Sequence, residues 1–178
     1  MQRRSLHLSE VKTLKREWPR EEILTYLEED WKEFGKSEKP RYGEDGRPLP
    51  DAFWQSLKEN IYHHGLKERN SLLYALTIRR TNIRVFPTEK PSFPSPTNLE
   101  VDLFQHSAIS PSFPVGIYYF SRDHLWAYGQ TPFIRGWIQT QDLAFAKNKD
   151  ELFDHGGLKE FLMITGSFVK IYADPRFQ

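Results

Sequence analysis

The chain has 178 residues, no cysteine and a formal net charge of +1, with 25 Lys and Arg against 24 Asp and Glu. The absence of cysteine excludes disulfides, thiolate metal sites and a cysteine nucleophile from this chain, and the charge balance excludes a global field that would draw in nucleic acid or an anionic membrane. No apolar run reaches the length of a membrane span, and the basic opening residues lack the apolar stretch of a secretory signal, so the chain is expected to be cytoplasmic, to have lost a signal, or to leave by a route not written in it.

Aromatic residues make up 15% of the chain and there are 12 prolines, a composition that favours short strands and tight turns. In chain order, Ser9 is expected to cap a short helix from Glu10 to Glu17. Pro19 suits the first turn of a second helix, with Glu21 and Glu22 at its positive end. Ile23, Leu24, Leu27, Trp31 and Phe34 then recur at helical spacing. The Gly- and Pro-rich run 35–50 reads as a loop. Asp51 is expected to cap a further helix with Phe53, Trp54, Leu57 and Ile61 on one face, ending at Gly65. His63 and His64 near that end, one turn after Glu59, have the residue types of a metal site but no third ligand at fixed spacing.

From Leu72 the period changes to two. Leu72–Ile78 and Ile83–Phe86 read as strands, followed by a Pro-rich extended loop over 87–98. Asp102–Ile109 leads into a turn at Ser110-Pro111, and Val115–Phe120, Trp126–Gly129 and Phe133–Ile138 read as further strands, with Ser121–His124 as a turn. Asp142–Phe145 reads as one helical turn. Five short strands between Leu72 and Ala146 suit a small SH3-like barrel, giving a mainly β chain with N-terminal helices. The expected organisation is a helical N-terminal region at 1–71, a barrel at 72–147, and a helix and hairpin at 148–178, with strands Glu160–Thr165 and Phe168–Ala173 joined over Gly166-Ser167.

These residues also carry a resemblance. Arg84-Val85-Phe86-Pro87-Thr88, Pro91-Ser92-Phe93, Asp102-Leu103-Phe104-Gln105-His106-Ser107, Ser121-Arg122-Asp123 with Trp126, Gly136-Trp137-Ile138 and Asp142-Leu143-Ala144 occur in that order. The series resembles the first bacterial SH3-like domain of multidomain NlpC/p60-type cell-wall peptidases. The segment Phe53–Asn60 resembles the clip-like region that embraces that barrel, and the C-terminal hairpin resembles the start of a second SH3-like domain. The resemblance implies a cell-envelope or periplasmic setting. It implies a non-catalytic module that packs on a Cys-His catalytic domain and helps shape the site receiving a peptidoglycan stem peptide, without cofactor or metal. The chain departs from the family in lacking cysteine, and in placing Ile134, beside Phe133, where many relatives carry an aromatic before Gly-Trp.

Expected surface residues are Asp102, Gln105, Ser107, Tyr118, Tyr128, Phe133 and Ile134. Asp102 and Ser107 have a competing structural role, satisfying backbone groups where the chain crosses the barrel. Ser121, Asp123 and His124 have the residue types of a hydrolytic triad but the spacing of a turn. Trp126 and Trp137 suit the barrel core or a platform at its edge, since one buried Trp removes about 200 Å² from water. Alternation predicts that only one of Tyr118 and Tyr119 points inward. Arg79, Arg80 and Arg84 read as a solvated basic strand edge. The alternatives to the family reading are an interaction module for a Pro-rich or extended peptide, and a small hydrolase in its own right.

Overall fold

The structure, a computed structural model, describes residues 11 and 13–154. The Ser9 cap, Glu10, Gly156-Gly157 and the hairpin over Gly166-Ser167 fall outside them.

Strand β1 (Glu17–Pro19) leads directly into helix α1 (Arg20–Phe34), and helix α2 follows at Asp51–Ile61. Strands β2 (Arg69–Ser71), β3 (Leu73–Thr77), β4 (Thr81–Arg84), β5 (Gln105–Ile109), β6 (Pro114–Phe120), β7 (Trp126–Gln130) and β8 (Arg135–Gln139) come next. A 3₁₀ turn at Thr140–Asp142, strand β9 (Leu143–Ala146) and helix α3 (Lys149–Asp154) complete the described chain. Glu17 is thus extended, pairing antiparallel with Ser71. Helix α2 stops at Ile61, short of Gly65, and its cap position is Pro50. Asp51 therefore supports the helix as the first-turn acid that favours the positive end of the dipole.

The main sheet has seven strands in the order β5-β4-β8-β7-β6-β3-β9, more than the five expected. The two additional strands are β5 and β9, the edges of the sheet. Leu143–Ala146 reads as helical locally, but it pairs with β3 from Tyr74 to Thr77, and the helical turn lies just before it. Pairing along a sheet edge overrides a weak local preference.

The sheet curls until its two ends meet. Ile109 of β5 and Leu143 of β9, from opposite edges, share one apolar cluster with Ala75, Ile83, Val115, Ile117, Ala127 and Ile138. Asp142 ties the ends together, accepting hydrogen bonds from Arg79 Nε and Thr81 Oγ1, each at 2.5 Å. Thr77 Oγ1 donates to Ser110 O at 2.7 Å across the same gap. Gly136 lets β8 approach β4: a Cβ there would lie 2.6 Å from Ile83 Cγ2 and 2.8 Å from Arg84 O. This gives the Gly-Trp pair a steric meaning, with glycine at the crossing and Trp137 fully buried beside it.

The helices pack on the outside of this sheet. Ile23 and Leu27 of α1 and Trp54, Leu57 and Ile61 of α2 join Phe86, Phe104, Tyr118, Tyr119, Tyr128 and Trp137 in a second, larger cluster. Strand β6 is built for both clusters. Its pairing with β7 runs Ile117↔Gly129, then Tyr119↔Tyr128, so Tyr118 is an extra residue in a bulge. A bulge re-aims the side chains around it. Ile117 faces the barrel interior, Tyr118 and Tyr119 both join the helix-facing cluster, and Phe120 returns to the interior cluster. The expectation that only one tyrosine is buried fails for this reason: both are, at 5% and 6% exposure.

Candidate binding groove

Arg84 is at the centre of the polar structure on the barrel wall. It is the last residue of β4, and its guanidinium is buried. Nε donates to Thr88 O at 3.0 Å and Nη2 to Lys90 O at 2.9 Å. Nη1 donates to Asp102 Oδ2 at 2.5 Å and to Gln105 Oε1 at 3.1 Å. The solvated edge expected for Arg84 is corrected accordingly: the rigid five-donor fork of arginine closes a loop, which a free surface cation would not do. Asp102 is equally occupied. Its Oδ1 accepts the N–H groups of Ser92 and Phe104, both at 2.9 Å. The Gln105 amide donates to Ser107 O, and Ser107 is exposed on β5.

This network holds the segment Pro87–Lys90 as a ridge between two depressions. One, of about 510 Å³, lies against α2 and is lined by Phe53, Glu59, Asn60, Thr88, Lys90 and Arg122 among others. The other, of about 500 Å³, is lined by Thr88, Glu89, Lys90, Leu125, Trp126 and Gln139. A third, of about 340 Å³, continues from it past Trp126 and Gln139 toward Asn82 and Arg84. Lys90 Nζ sits 5.9 Å from the Phe53 ring centre, a cation–π contact across the first depression. Leu125, 62% exposed, supplies apolar surface in the second.

The β6–β7 turn closes the groove at one end, and it is a structural turn. Ser121 is buried and donates its hydroxyl to Asp123 Oδ1 at 2.6 Å. Asp123 also accepts from Leu125 N at 2.9 Å and Asn60 Nδ2 at 3.0 Å, while its own N–H donates to Asn60 Oδ1. Burial alone would raise the Asp123 pKa; the hydrogen bonds from Ser121, Leu125 and Asn60 outweigh it and hold the carboxyl below its ordinary range. The Ser121 proton thus goes to the aspartate. His124, at φ 57°, lies beside Phe120. His63 is likewise engaged on both ring nitrogens. Nδ1 accepts Gly65 N–H at 3.0 Å, so Nε2 carries the proton it donates to Phe120 O at 2.9 Å. No group of three or more His, Asp or Glu side chains is placed to hold a metal among the described residues.

The remaining expected surface residues fall elsewhere. Tyr118 and Tyr128 are buried beneath α1, which corrects their reading as exposed recognition residues. The Tyr118 ring packs against Trp18, centre to centre 4.6 Å and tilted by 58°. Tyr128 donates its hydroxyl to Asp30 Oδ2 at 2.8 Å and accepts Arg135 Nε at 2.9 Å. The guanidinium of Arg135 lies 3.7 Å from the Tyr26 ring centre. Phe133 is 56% exposed and, with half-buried Ile134, packs by Phe113 at the opposite end of β6 from Phe120. The groove brings together Lys90, Arg122, Leu125 and Trp126, of which only Trp126 stands out in the sequence. The others have no periodicity to betray them, because they lie on turns and loops.

Residues 91–139 match the family described as SH3 domain, SH3b1 type. That segment, rather than the whole chain, is what resembles an SH3b1-type SH3 domain. The matched segment runs from the loop held by Arg84 to the end of β8, and so includes Asp102, the β6–β7 turn and the Gly136-Trp137 crossing. No curated protein matches the chain. Among solved structures, its fold is similar to that of an NlpC/P60 endopeptidase from Photobacterium damselae subsp. piscicida, with a TM-score of 0.56 and 14% identity. The likeness covers 78% of this chain and 33% of that one, so the chain spans about a third of the endopeptidase's length. No helix among the described residues is long and apolar enough to cross a membrane.

Proposed function

We propose that this chain is a non-catalytic module that binds peptidoglycan stem peptide and shapes the substrate site of an NlpC/P60-type catalytic domain in the cell envelope. The observation that supports the proposal is that the segment matching the SH3b1 family, residues 91–139, supplies Arg122, Asp123, Leu125, Trp126 and Gln139 to the groove beside the Thr88–Lys90 ridge. The groove suits an extended peptide. It mixes apolar surface (Phe53, Leu125, Trp126) with placed charges (Lys90, Arg122, Glu59), and Arg84 fixes the ridge between its two depressions. Asp102 and Gln105 act through Arg84 by fixing the ridge. Ser107, Phe133 and Ile134 offer surface for a neighbouring domain. Helices α1 and α2 serve as the clasp, burying the aromatic face that a bare barrel would expose.

Titration of labelled protein with stem tripeptide and with an unrelated Pro-rich peptide tests this. Saturable shifts at Thr88, Lys90 and Trp126 with the stem peptide are expected, and saturation by the Pro-rich peptide alone would favour the second reading, an interaction module for extended peptides. That reading draws on the exposed Leu125 beside Trp126, an apolar strip open to any extended chain. A hydrolase built on Ser121 is disfavoured by its burial and its bond to Asp123. Incubation with muropeptides followed by mass analysis should show no cleavage.

A further inference from the structure

A pocket of about 310 Å³ lies between β2 and the β6–β7 turn, and it shares no lining residue with the groove. Its apolar wall comes from Leu73, Tyr118, Tyr119 and Phe120, beside the polar Asn70 and Ser71. Leu73 is 43% exposed there, and the half-buried Phe120 leads on to Phe145, 48% exposed with its ring centre 6.0 Å from that of Phe120. Its charged lining is of one sign, with Lys67 and Arg69 present and no carboxylate. Lys67 has no ion-pair or hydrogen-bond partner for its ammonium among the described residues. Arg69 has one, an exposed contact to Glu17 at 3.4 Å, of the kind that contributes little and exchanges readily.

His124 adds a second, independent observation. It lines the pocket and holds φ at 57°, a region that side-chain-bearing residues occupy at a cost. The turn does not need a histidine for this. Its bonds run through the backbone, His124 N–H to Ser121 O at 2.9 Å and Thr140 Oγ1 to His124 O at 3.0 Å. Glycine would make both bonds without the strain. What the histidine supplies is an imidazole at the rim, 6.1 Å from the Phe120 ring centre and with no hydrogen bond to the ring among the described residues.

We propose that this pocket binds the C-terminal carboxylate of a peptide that ends in an apolar residue. Lys67 and Arg69 receive the carboxylate, His124 offers a further donor, and the terminal side chain lies on Leu73 and Phe120. The charge of the lining and the apolar wall select this ligand together.

The test uses the full labelled chain with N-acetyl-Ala-Phe as free acid and as amide. The acid should give saturable shifts at Lys67, Leu73, Phe120 and His124, and the amide should bind about tenfold more weakly or worse. The double variant Lys67→Glu/Arg69→Glu should lose the acid's binding with its melting curve unchanged. His124→Gly should melt no lower than the parent and still bind more weakly, a combination that a purely structural histidine would not give. Equal binding of acid and amide, no saturation with the acid, or saturation with shifts confined to Thr88, Lys90 and Trp126 would each overturn the proposal. The last result would leave the groove reading intact.

Discussion

Arg84 spends its whole guanidinium on the chain around it, and its loss would be felt at every contact. Arg84→Ala leaves the Asp102 carboxylate partly buried and without its counterion, and frees the Thr88 and Lys90 carbonyls. Breaking such a pair costs about 3–5 kcal/mol, to be read from the shift in a urea unfolding midpoint. Arg84→Lys should recover only a minor part, since an ammonium cannot reach both carbonyls and the carboxylate at once. Asp30 makes a prediction of a different kind. Burial raises its pKa to about 6, against the lowering pull of the Tyr128 hydroxyl and Arg135, with Glu29 and Glu33 adding to the rise. An acid raised on folding contributes stability that is full below its unfolded value and is lost as pH climbs through the folded one. The parent should therefore gain stability relative to Asp30→Asn as pH falls through about 6 toward 3.8. A pair of denaturation series across that window checks the sign. At this scale the sequence was readable where chemistry is local. Asp102 and Asp123 bond backbone groups two residues on, as short acids in loops do. The burial of Arg84 and Tyr128 was not readable, because each depends on partners such as Asp102 and Asp30, 18 and 98 residues distant.

Among the elements, α2 and the β6–β7 turn are joined by one side chain. Asn60 accepts Asp123 N–H and donates to its carboxylate, while the Asn60 carbonyl accepts Arg122 N–H. Asn60→Ala removes the first two and keeps the third. The expected cost is about 1–2 kcal/mol, with faster amide exchange at Asp123 and Leu125 and little change at Arg122. Strands β6, β7 and β8 lie within two residues of where alternation and turn chemistry place them, because half-buried antiparallel strands write their period into the sequence. Strands β1, β2 and β9 escaped detection for the opposite reason. Each has three or four residues, too few to establish a period, and their pairing partners lie far along the chain. The seam between the sheet ends, closed by Asp142, was also beyond local reading.

For the molecule as a whole, the helices and the barrel share a hydrophobic cluster that neither owns. Trp54, Leu57 and Ile61 meet Phe86, Phe104, Tyr119 and Trp137 in it. A fragment of residues 69–154 would present that aromatic face to water, a patch of the kind that drives association. Such a fragment is expected to bind a hydrophobic dye, lose its near-ultraviolet circular dichroism and aggregate, while the full chain unfolds in one transition. Two transitions in the full chain, with the fragment natively folded, would show that the helices are dispensable.

The bulge in β6 has a bearing on how this strand can vary. Ile117 pairs with Gly129, Tyr119 with Tyr128 and Phe120 with Ala127, and Tyr118 stands outside the ladder. A chain shorter by that one residue would keep all three pairs and return to strict alternation, with Ile117 and Phe120 still facing the interior. Loss of a single codon, which elsewhere in a strand turns every later side chain over, would here remove one ring from the contact with Trp18 and Tyr26. The strand is thus a place where homologous chains can differ in length by one residue and keep the same barrel.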